Sequence, residues 1–328
     1  MSPSSTLYLG VDIGGTKVAA GLVDSSGEIT CKSRAPMNAH GSAEQGLASV
    51  LEAINASMKL AADAHPGFSL GGVGICSPGP LDPRTGVVIN PPNLPCWRNF
   101  PLGEKVSKQF GVPVLVENDA NAAGLAEYIW GAGRGYKVVF YATLGTGIGT
   151  GLVLDGRIYN GRTGSATEGG HVTIDYRGPK CGCGKFGCIE ALASGPAIAA
   201  RARSKIIAHP GRGVRLLELA GGQADQIQSE HVAAAWQEGD SFATEILAET
   251  MDFIAIWLGN IVDVLEPDVI VFGGGIGQLA SQWFPHIRAK LTDWCIIKRG
   301  VDIPLLLARY VADSGIAGAA ALCLAPKA

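Results

Sequence analysis

Gly15-Thr16 is followed, five residues after the threonine, by Gly21-Leu22-Val23, and Gly145-Thr146 is followed at the same spacing by Gly151-Leu152-Val153. Each copy has the pattern of a β-hairpin, in which an apolar strand leads into a Gly/Thr turn and a second apolar strand leads out of it. Glycine lets the backbone approach a ligand closely, and the free N–H groups of such a turn suit phosphate oxygens. The repeat predicts two related lobes, each with a phosphate-binding turn; the alternative is a structural repeat without a ligand.

Composition limits the classes of function that this chain can have. Its 328 residues suffice for two domains, and 47% hydrophobic with 17% charged residues is typical of a globular protein. A formal net charge of −3 without a dense Lys/Arg run argues against nucleic acid as the main partner. The first six residues show no secretory signal, and the apolar stretch from Phe253 to Leu265 is too short and polar to span a membrane. Eight cysteines without such a signal predict free thiols or metal ligands and a cytoplasmic protein.

Short apolar runs alternate with longer segments of helical periodicity, which is the pattern of an α/β protein. The predicted strands are Leu7–Ile13, Gly72–Cys76, Val112–Glu117, Val138–Ala142 and Val269–Phe272. The predicted long helices are Ala43–Ala64 and Phe242–Leu265. We place the first α/β lobe at residues 1–118, joined by 305–328, and the second at 119–304. The proline-rich segment from Pro78 to Pro101 is predicted to be an ordered, functional loop because it contains several apolar residues.

Three glycine-rich turns are candidates for a nucleotide site. Gly273, Gly274 and Gly275 follow a predicted strand and precede a helix, an arrangement that presents N–H groups to an anion. In the first hairpin Asp12 precedes Gly14-Gly15-Thr16-Lys17, and a carboxylate beside a phosphate turn is suited to Mg²⁺ held through water. The alternatives are a turn cap for Asp12 and a solvated charge for Lys17. No P-loop motif is present, and the glycine spacing does not fit a dinucleotide fold.

Asn118 and Asp119 follow the predicted strand Val112–Glu117 and open a helix rich in alanine. The carboxyl ends of strands are the favoured ligand edge of α/β sheets, so an amide and a carboxylate there indicate a site. We expect Asp119 at the N-cap position, where it would orient an alcohol and accept its proton late in phosphoryl transfer. A plain helix cap is the alternative.

The most specific pattern is Glu168-Gly169-Gly170-His171 followed by Cys181, Cys183 and Cys188. One histidine and three cysteines separated by glycine turns predict a closed, tetrahedral and therefore structural Zn²⁺ site. Such a loop would position Glu168 and Glu190, and the second ring nitrogen of His171 would be free for a hydroxyl. Carboxylates, an imidazole and an amide together suit a sugar.

These motifs resemble the ROK family (repressors, open reading frames and sugar kinases), which lies within the actin-like group of sugar kinases. The resemblance covers nearly the whole chain, and its matching stretches are Asp12–Lys17, Glu117–Ala122, Thr143–Gly149, Glu168–His171 and Cys181–Gly195. It implies an α/β, two-lobed actin-like or ribonuclease H-like sugar kinase fold with an interdomain cleft. It also implies ATP, Mg²⁺, a structural Zn²⁺ and a hexose acceptor.

The resemblance carries roles to individual residues of this chain. It makes Asp119 the catalytic base, and the sugar contacts become Asn93, Asn118, Asp119, Glu168, His171 and Glu190. The zinc ligands become His171, Cys181, Cys183 and Cys188. The nucleotide contacts become Asp12, Gly14, Gly15, Thr16, Lys17, Thr143, Gly145, Thr146, Gly147, Gly273, Gly274 and Gly275. Cys96 stands near Asn93 where the family more often has glycine, so the role of Asn93 is the weaker assignment.

The implied reaction is transfer of the γ-phosphoryl group of ATP to the 6-hydroxyl of glucose. The segments Leu94–Leu102 and Trp130–Gly135 are most similar to the ATP-dependent glucokinases of the family, and only eleven residues precede Asp12, which disfavours its repressors. N-acetylmannosamine kinase and fructokinase remain alternatives, as does a sugar-sensing protein without turnover; mannose as acceptor and polyphosphate as donor also stay open. The apolar stretch Phe253–Leu265 fits either a core helix or the interface of a homodimer or homotetramer.

Overall fold

The computed structural model describes residues 6–296, 300 and 302–326. Its strands are β1 (Thr6–Ile13), β2 (Lys17–Val23), β3 (Ile29–Pro36), β4 (Ser69–Ser77), β5 (Leu81–Asp82), β6 (Val87–Val88), β7 (Val114–Asn118), β8 (Val138–Leu144), β9 (Ile148–Leu154), β10 (Arg157–Ile158), β11 (Val269–Gly273) and β12 (Leu305–Leu307). Its α-helices are α1 (Ala43–Ala64), α2 (Leu102–Phe110), α3 (Asp119–Trp130), α4 (Ile189–Ala193), α5 (Gly195–Ala208), α6 (Val214–Leu219), α7 (Ser229–Gln237), α8 (Ser241–Leu265), α9 (Gly274–Ser281), α10 (Phe284–Trp294) and α11 (Ser314–Leu322).

Two five-stranded sheets share one topology. The first has the order β3-β2-β1-β4-β7 and the second β10-β9-β8-β11-β12, so each arranges its own strands as third, second, first, fourth and fifth. In the first sheet β1 pairs antiparallel with β2 and parallel with β4, and β4 pairs parallel with β7. The repeated Gly/Thr turns join β1 to β2 and β8 to β9. The duplicated α/β fold predicted from the repeat is therefore confirmed.

The chain divides into two compact units. The first unit contains the described residues of Met1–Tyr141, Gly151–Thr167 and Ala308–Ala328, and the second contains those of Ala142–Thr150 and Glu168–Leu307. This division differs from the predicted lobes mainly by placing residues 119–141 and 151–167 in the first unit, where α3 packs against α11 and β10. The predicted lobe boundaries, 1–118 with 305–328 and 119–304, stay a prediction.

Glycines let α11 lie directly on the first sheet. A Cβ added to Gly74 of β4 would lie 1.7 Å from the carbonyl oxygen of Ala319, and one on Gly10 of β1 would lie 2.0 Å from that of Ile316. A side chain of any size at these two positions would force the helix away from the strands. Strands β1, which carries Asp12, and β4 are thus held against α11 by backbone-to-backbone packing.

Helix α1 begins where the sequence predicts it. Ser42 and Gln45 form a reciprocal capping box at its N-terminus, and Val50 and Ile54 are fully buried against the first sheet. No helix within the described residues combines the length and apolar character that a membrane span requires.

Candidate active site

The first Gly/Thr turn is a tight hairpin next to a carboxylate. The Gly14 N–H donates to the Lys17 carbonyl oxygen at 2.9 Å, and Thr16 and Lys17 are exposed. Asn93 lies against this turn, since a Cβ on Gly15 would lie 3.0 Å from the Asn93 carbonyl oxygen. The proline-rich loop therefore folds over the turn, as its apolar content predicts: Trp97 is 1% exposed and stacks on Phe100 at 5.1 Å.

Parallel pairing brings the acidic residues of the first unit to one edge. Asp12 of β1 is in register with Cys76 of β4, and Cys76 is in register with Glu117 of β7. Asp119 is the first residue of α3, which starts directly after β7. The carboxyl ends of the three parallel strands thus place the turn, Asp12 and Asp119 in one region of the unit.

The prediction that Asp119 is an N-cap was wrong. Asn118 occupies that position, and its side-chain oxygen accepts from the backbone N–H groups of Ala120 at 3.0 Å and Asn121 at 3.3 Å. Because the capping is done by the amide, the carboxylate of Asp119 stands one residue further on, exposed, with one oxygen accepting the Ala120 N–H at 2.8 Å.

Negative charge accumulates beside the first turn. Burial and, to a smaller extent, the negative charge of Asp119 together raise the pKa of Asp12 from 3.8 to about 6, although Lys17 acts to lower it. Burial also raises the pKa of Glu117, although Asn118, Asn160 and Asn121 donate hydrogen bonds to its carboxylate. A half-buried carboxylate with a second carboxylate nearby and an exposed Gly/Thr turn fits a hydrated divalent cation.

The second Gly/Thr turn has its own carboxylate. The Gly145 N–H donates to the Gly147 carbonyl oxygen at 2.9 Å, and the Ile148 N–H donates to Oε2 of Glu190 at 2.9 Å. A Cβ on Gly147 would lie 2.7 Å from that same carboxylate oxygen, so only glycine allows the approach. Glu190, at the start of α4, is therefore fixed to the turn by a backbone hydrogen bond.

The predicted glycine cluster also reaches this turn. Gly273 ends β11 and is the N-cap of α9. Gly274 has a φ of +76°, and a Cβ on it would lie 2.3 Å from the Leu144 carbonyl oxygen and 2.9 Å from Oγ1 of Thr143. Gly275 has open space around it. The cluster thus lies against the end of β8, just before Gly145.

The four predicted metal ligands form one cluster. Nitrogen and sulfur atoms of His171, Cys181, Cys183 and Cys188 all lie within 4.8 Å of one another. The Sγ atoms of Cys183 and Cys188 are 3.7 Å apart, and Sγ of Cys181 is 3.6 Å from Nδ1 of His171. Tetrahedral zinc with ordinary bond lengths would separate two sulfurs by about 3.8 Å, and a sulfur from a nitrogen by about 3.6 Å. The donor set fits Zn²⁺.

Two acidic residues lie next to the metal cluster: Glu168 precedes His171 by three residues in the chain, and Glu190 lies close to His171 in space. Residues Gly169–His171 form a single 3-10 turn, which is held by the Gly169 N–H bonded to Oγ1 of Thr150 at 2.8 Å. Oε1 of Glu190 lies 3.9 Å from Nδ1 of His171. Glu168 is exposed immediately before the turn. The zinc-type loop therefore carries two acidic side chains and the histidine together.

The structure groups the predicted residues by unit. The first unit holds Asp12, Gly14, Gly15, Thr16, Lys17, Asn93, Asn118 and Asp119. The second holds Thr143, Gly145, Thr146, Gly147, Glu168, His171, Cys181, Cys183, Cys188, Glu190, Gly273, Gly274 and Gly275. Sequence reasoning missed the hydrogen-bonded group of Glu117, Asn121 and Asn160. The spacing of Glu117 and Asn121 around the start of α3 was an available signal; Asn160 had none.

The ROK family profile matches residues 8–325 of this chain. The chain belongs to the ROK family. Its relatives include the glucokinase of Thermotoga maritima, 35% identical over 96% of both chains, and that of Streptomyces coelicolor, 34% identical over 98% of both. The N-acetylmannosamine kinase of Salmonella typhi is 32% identical over 96% of this chain and 97% of that protein. Among solved structures, the ROK glucokinase of Streptomyces griseus with glucose and AMPPNP has a TM-score of 0.80 and 34% identity, covering 96% of this chain and 98% of that one. These matches confirm the actin-like sugar kinase fold.

Proposed function

We propose that this chain is an ATP-dependent glucokinase that phosphorylates the 6-hydroxyl of glucose. The observation that carries the proposal is the first unit's arrangement. Asp119 opens α3 with an exposed carboxylate, in the electrostatic field of half-buried Asp12 beside a Gly/Thr turn. That arrangement offers a base, a cation-binding carboxylate and a phosphate turn together. Full-length similarity to glucokinases, one of them solved with glucose and an ATP analogue, supports the same assignment.

The protein itself has little covalent chemistry to perform in phosphoryl transfer. The 6-oxygen of glucose forms a bond to the γ-phosphorus as the bond from that phosphorus to the β–γ bridging oxygen breaks, which leaves ADP. Asp119 accepts the hydroxyl proton as the new bond forms. Bound Mg²⁺ would neutralise phosphate charge, with Asp12 holding its hydration water. The backbone N–H groups of the two Gly/Thr turns and of the Gly273–Gly275 cluster bind phosphate and nucleotide.

Sugar binding is assigned to side chains that can form hydrogen bonds with hydroxyl groups. We assign Asn93, Asn118, Glu168, His171 and Glu190 to glucose hydroxyls. Zn²⁺ on His171, Cys181, Cys183 and Cys188 would be structural, because four protein ligands leave no open position. Oε2 of Glu190 accepts the Ile148 N–H, so we assign its Oε1, which lies near His171 and Cys181, to the sugar.

A coupled assay of ADP release tests the proposal directly. Purified protein with ATP and Mg²⁺ is given glucose, N-acetylmannosamine, fructose or mannose in separate reactions. We expect glucose to give the highest kcat/KM. N-acetylmannosamine as the best acceptor would favour the second candidate, which rests on the 32% identity to the Salmonella typhi kinase. If none of the sugars stimulates ADP release, the remaining interpretation is a sugar-sensing protein without turnover. Replacing ATP with polyphosphate tests the phosphoryl donor.

Asp119→Asn tests the base. We expect kcat to fall about 10²- to 10⁴-fold, because removal of a positioned base has that effect. The matched control is Asp63→Asn, which changes an exposed aspartate of α1 and is expected to keep normal turnover. Near-normal turnover of a folded Asp119→Asn variant would show that the base is another group.

We place this reaction in the cytoplasm. None of the eight cysteines, all of which lie among the described residues, forms a disulfide, which supports a reducing compartment. A homodimer or homotetramer stays a prediction that sedimentation equilibrium tests, and the domain boundary at residue 118 stays one that substrate-dependent hydrogen exchange tests.

A further inference from the structure

A buried hydrogen-bond network lies behind the Asn118–Asp119 turn in the first unit. Glu117 is 3% exposed, and its Oε1 accepts the Asn118 backbone N–H at 2.8 Å and Nδ2 of Asn121 at 3.2 Å. Its Oε2 accepts Nδ2 of Asn160 at 2.9 Å. Nδ2 of Asn121 also reaches Oδ1 of Asn160 at 3.3 Å. Every contact on the carboxylate is a donor, so the network is matched to an ionised, fully accepting group.

The same network continues to the residue before Glu168. Oγ1 of Thr167 lies 3.0 Å from Oδ1 of Asn121 and 2.7 Å from the Ala166 carbonyl oxygen. Thr167 has a φ of +64°, a left-handed conformation that costs a β-branched residue free energy and persists only when its surroundings fix it. The Asn121 amide is one of the groups that fix it.

Asn160 joins the two parts of the network. It lies just after β10, and its amide contacts both Glu117 and Asn121, which come from the end of β7 and the first turn of α3. Nothing in the assigned roles of the reaction uses this amide. The Glu117–Asn160 contact therefore fixes the peptide that leads into Asn118 and Asp119, while Asn121 fixes the chain that leads into Glu168.

We propose that Asn160, acting through Glu117 and Asn121, is a positioning residue that aligns Asp119 for proton transfer. The inference rests on the proposed function, since Asp119 must be the base for its alignment to matter. A misplacement of about 1 Å at a reacting group can cost about 10²-fold in rate. Loss of the Asn160 contact thus lowers kcat while leaving the nucleotide turns, and hence the KM for ATP, unchanged.

A reciprocal exchange of amide and acid tests this. Asn160→Asp alone places two carboxylates at the 2.9 Å contact, and Glu117→Gln alone presents an amide donor to another donor. The double variant Glu117→Gln/Asn160→Asp keeps every hydrogen bond, because the new glutamine amide donates to the new aspartate. It also keeps both side-chain sizes. Folding of each variant is checked by circular dichroism and urea unfolding before kinetics.

We expect each single variant to lose about 10- to 100-fold in kcat with the KM for ATP within about 2-fold of wild type. The double variant is expected to recover to within about 3-fold of wild-type kcat. The matched control, Asn55→Asp, changes an exposed asparagine of α1 and is expected to leave kcat unchanged.

Two results would overturn the inference. One is normal kcat in folded single variants, and the other is a double variant as impaired as the singles. A wild-type protein without sugar-dependent ADP release would instead refute the proposed function, so the two failures are distinguishable. If the single variants do not fold, Asn160→Ala, which removes the amide from a half-buried position without adding charge, gives the same kcat comparison.

Discussion

Asp12→Asn is expected to stabilise the nucleotide-free protein at neutral pH while it impairs phosphoryl transfer. Burial, with the nearby charge of Asp119, raises the pKa of Asp12 from 3.8 to about 6. The folded state therefore binds the proton more tightly than the unfolded state. Stability contributed by the protonated form is present below pH 3.8 and is lost as the pH rises through 6.

The size of the effect follows from the two pKa values. One unit of pKa difference corresponds to about 1.4 kcal/mol, so ionised Asp12 lowers the free energy of unfolding by about 3 kcal/mol at pH 7.5. At pH 5, where the folded state is still mostly protonated, the loss is about 1.6 kcal/mol. The asparagine variant has no such loss. The stability of the variant minus that of wild type should therefore grow by about 1.4 kcal/mol between pH 5 and pH 7.5.

Urea unfolding with EDTA and without nucleotide measures this difference. Comparing two pH values cancels any constant effect of the substitution, such as a lost hydrogen bond. Asp24→Asn is the control: although burial acts to raise the pKa of Asp24, hydrogen bonds from Ser26, Glu28 and Gly27 lower it overall. The stability that ionised Asp24 contributes is fully present well above pH 3.8. The difference in unfolding free energy between Asp24→Asn and wild type should therefore stay constant from pH 5 to 7.5. A flat or shrinking difference for Asp12→Asn would refute the reasoning.

Three further predictions concern the metal loop and the packing of the first unit. Cys183→Ser, or chelation, is expected to raise the glucose KM before the ATP KM changes, since the loop carries Glu168 and Glu190; unchanged glucose kinetics in folded, zinc-free protein would contradict this. Gly74→Ala should lower the urea midpoint strongly, because its Cβ would lie 1.7 Å from a carbonyl oxygen of α11. The comparison variant is Gly67→Ala, which has open space but a φ of +77°, so it should cost only about 1–2 kcal/mol, as expected for a left-handed alanine. Glu127→Gln should destabilise the protein by about 1–3 kcal/mol. The buried carboxylate accepts hydrogen bonds from three backbone N–H groups, and the NH₂ group of glutamine would face one of these donors. An unchanged urea unfolding curve would argue against this network.

The parts of the fold that the sequence predicts are those with local signals. The Gly/Thr repeat predicts two hairpins because glycine content and strand alternation are both visible within ten residues. The metal loop is equally local, since its three cysteines lie within eight residues of one another. Helix α1 was found with its bounds because its capping box and apolar stripe sit on one continuous segment.

What the sequence does not predict depends on distant contacts. The capping role went to Asn118 rather than Asp119, because either side chain can cap and the backbone at the end of β7 decides which one does. Asn160 lies 43 residues from Glu117, and no periodicity connects them. Helix α3 belongs to the first compact unit because α11 packs on it. This contact joins residues that are almost 200 positions apart in the chain.

The packing of α11 against Gly10 and Gly74 has a consequence for biosynthesis. The strands that receive this helix are made early by the ribosome, whereas the helix itself follows the entire second unit in the chain. The face of the first sheet that receives α11 must therefore stay uncovered until that helix is made, whereas every segment of the second unit is made before it. Stop codons late in the gene should consequently be as harmful to solubility as substitutions in the earliest strands.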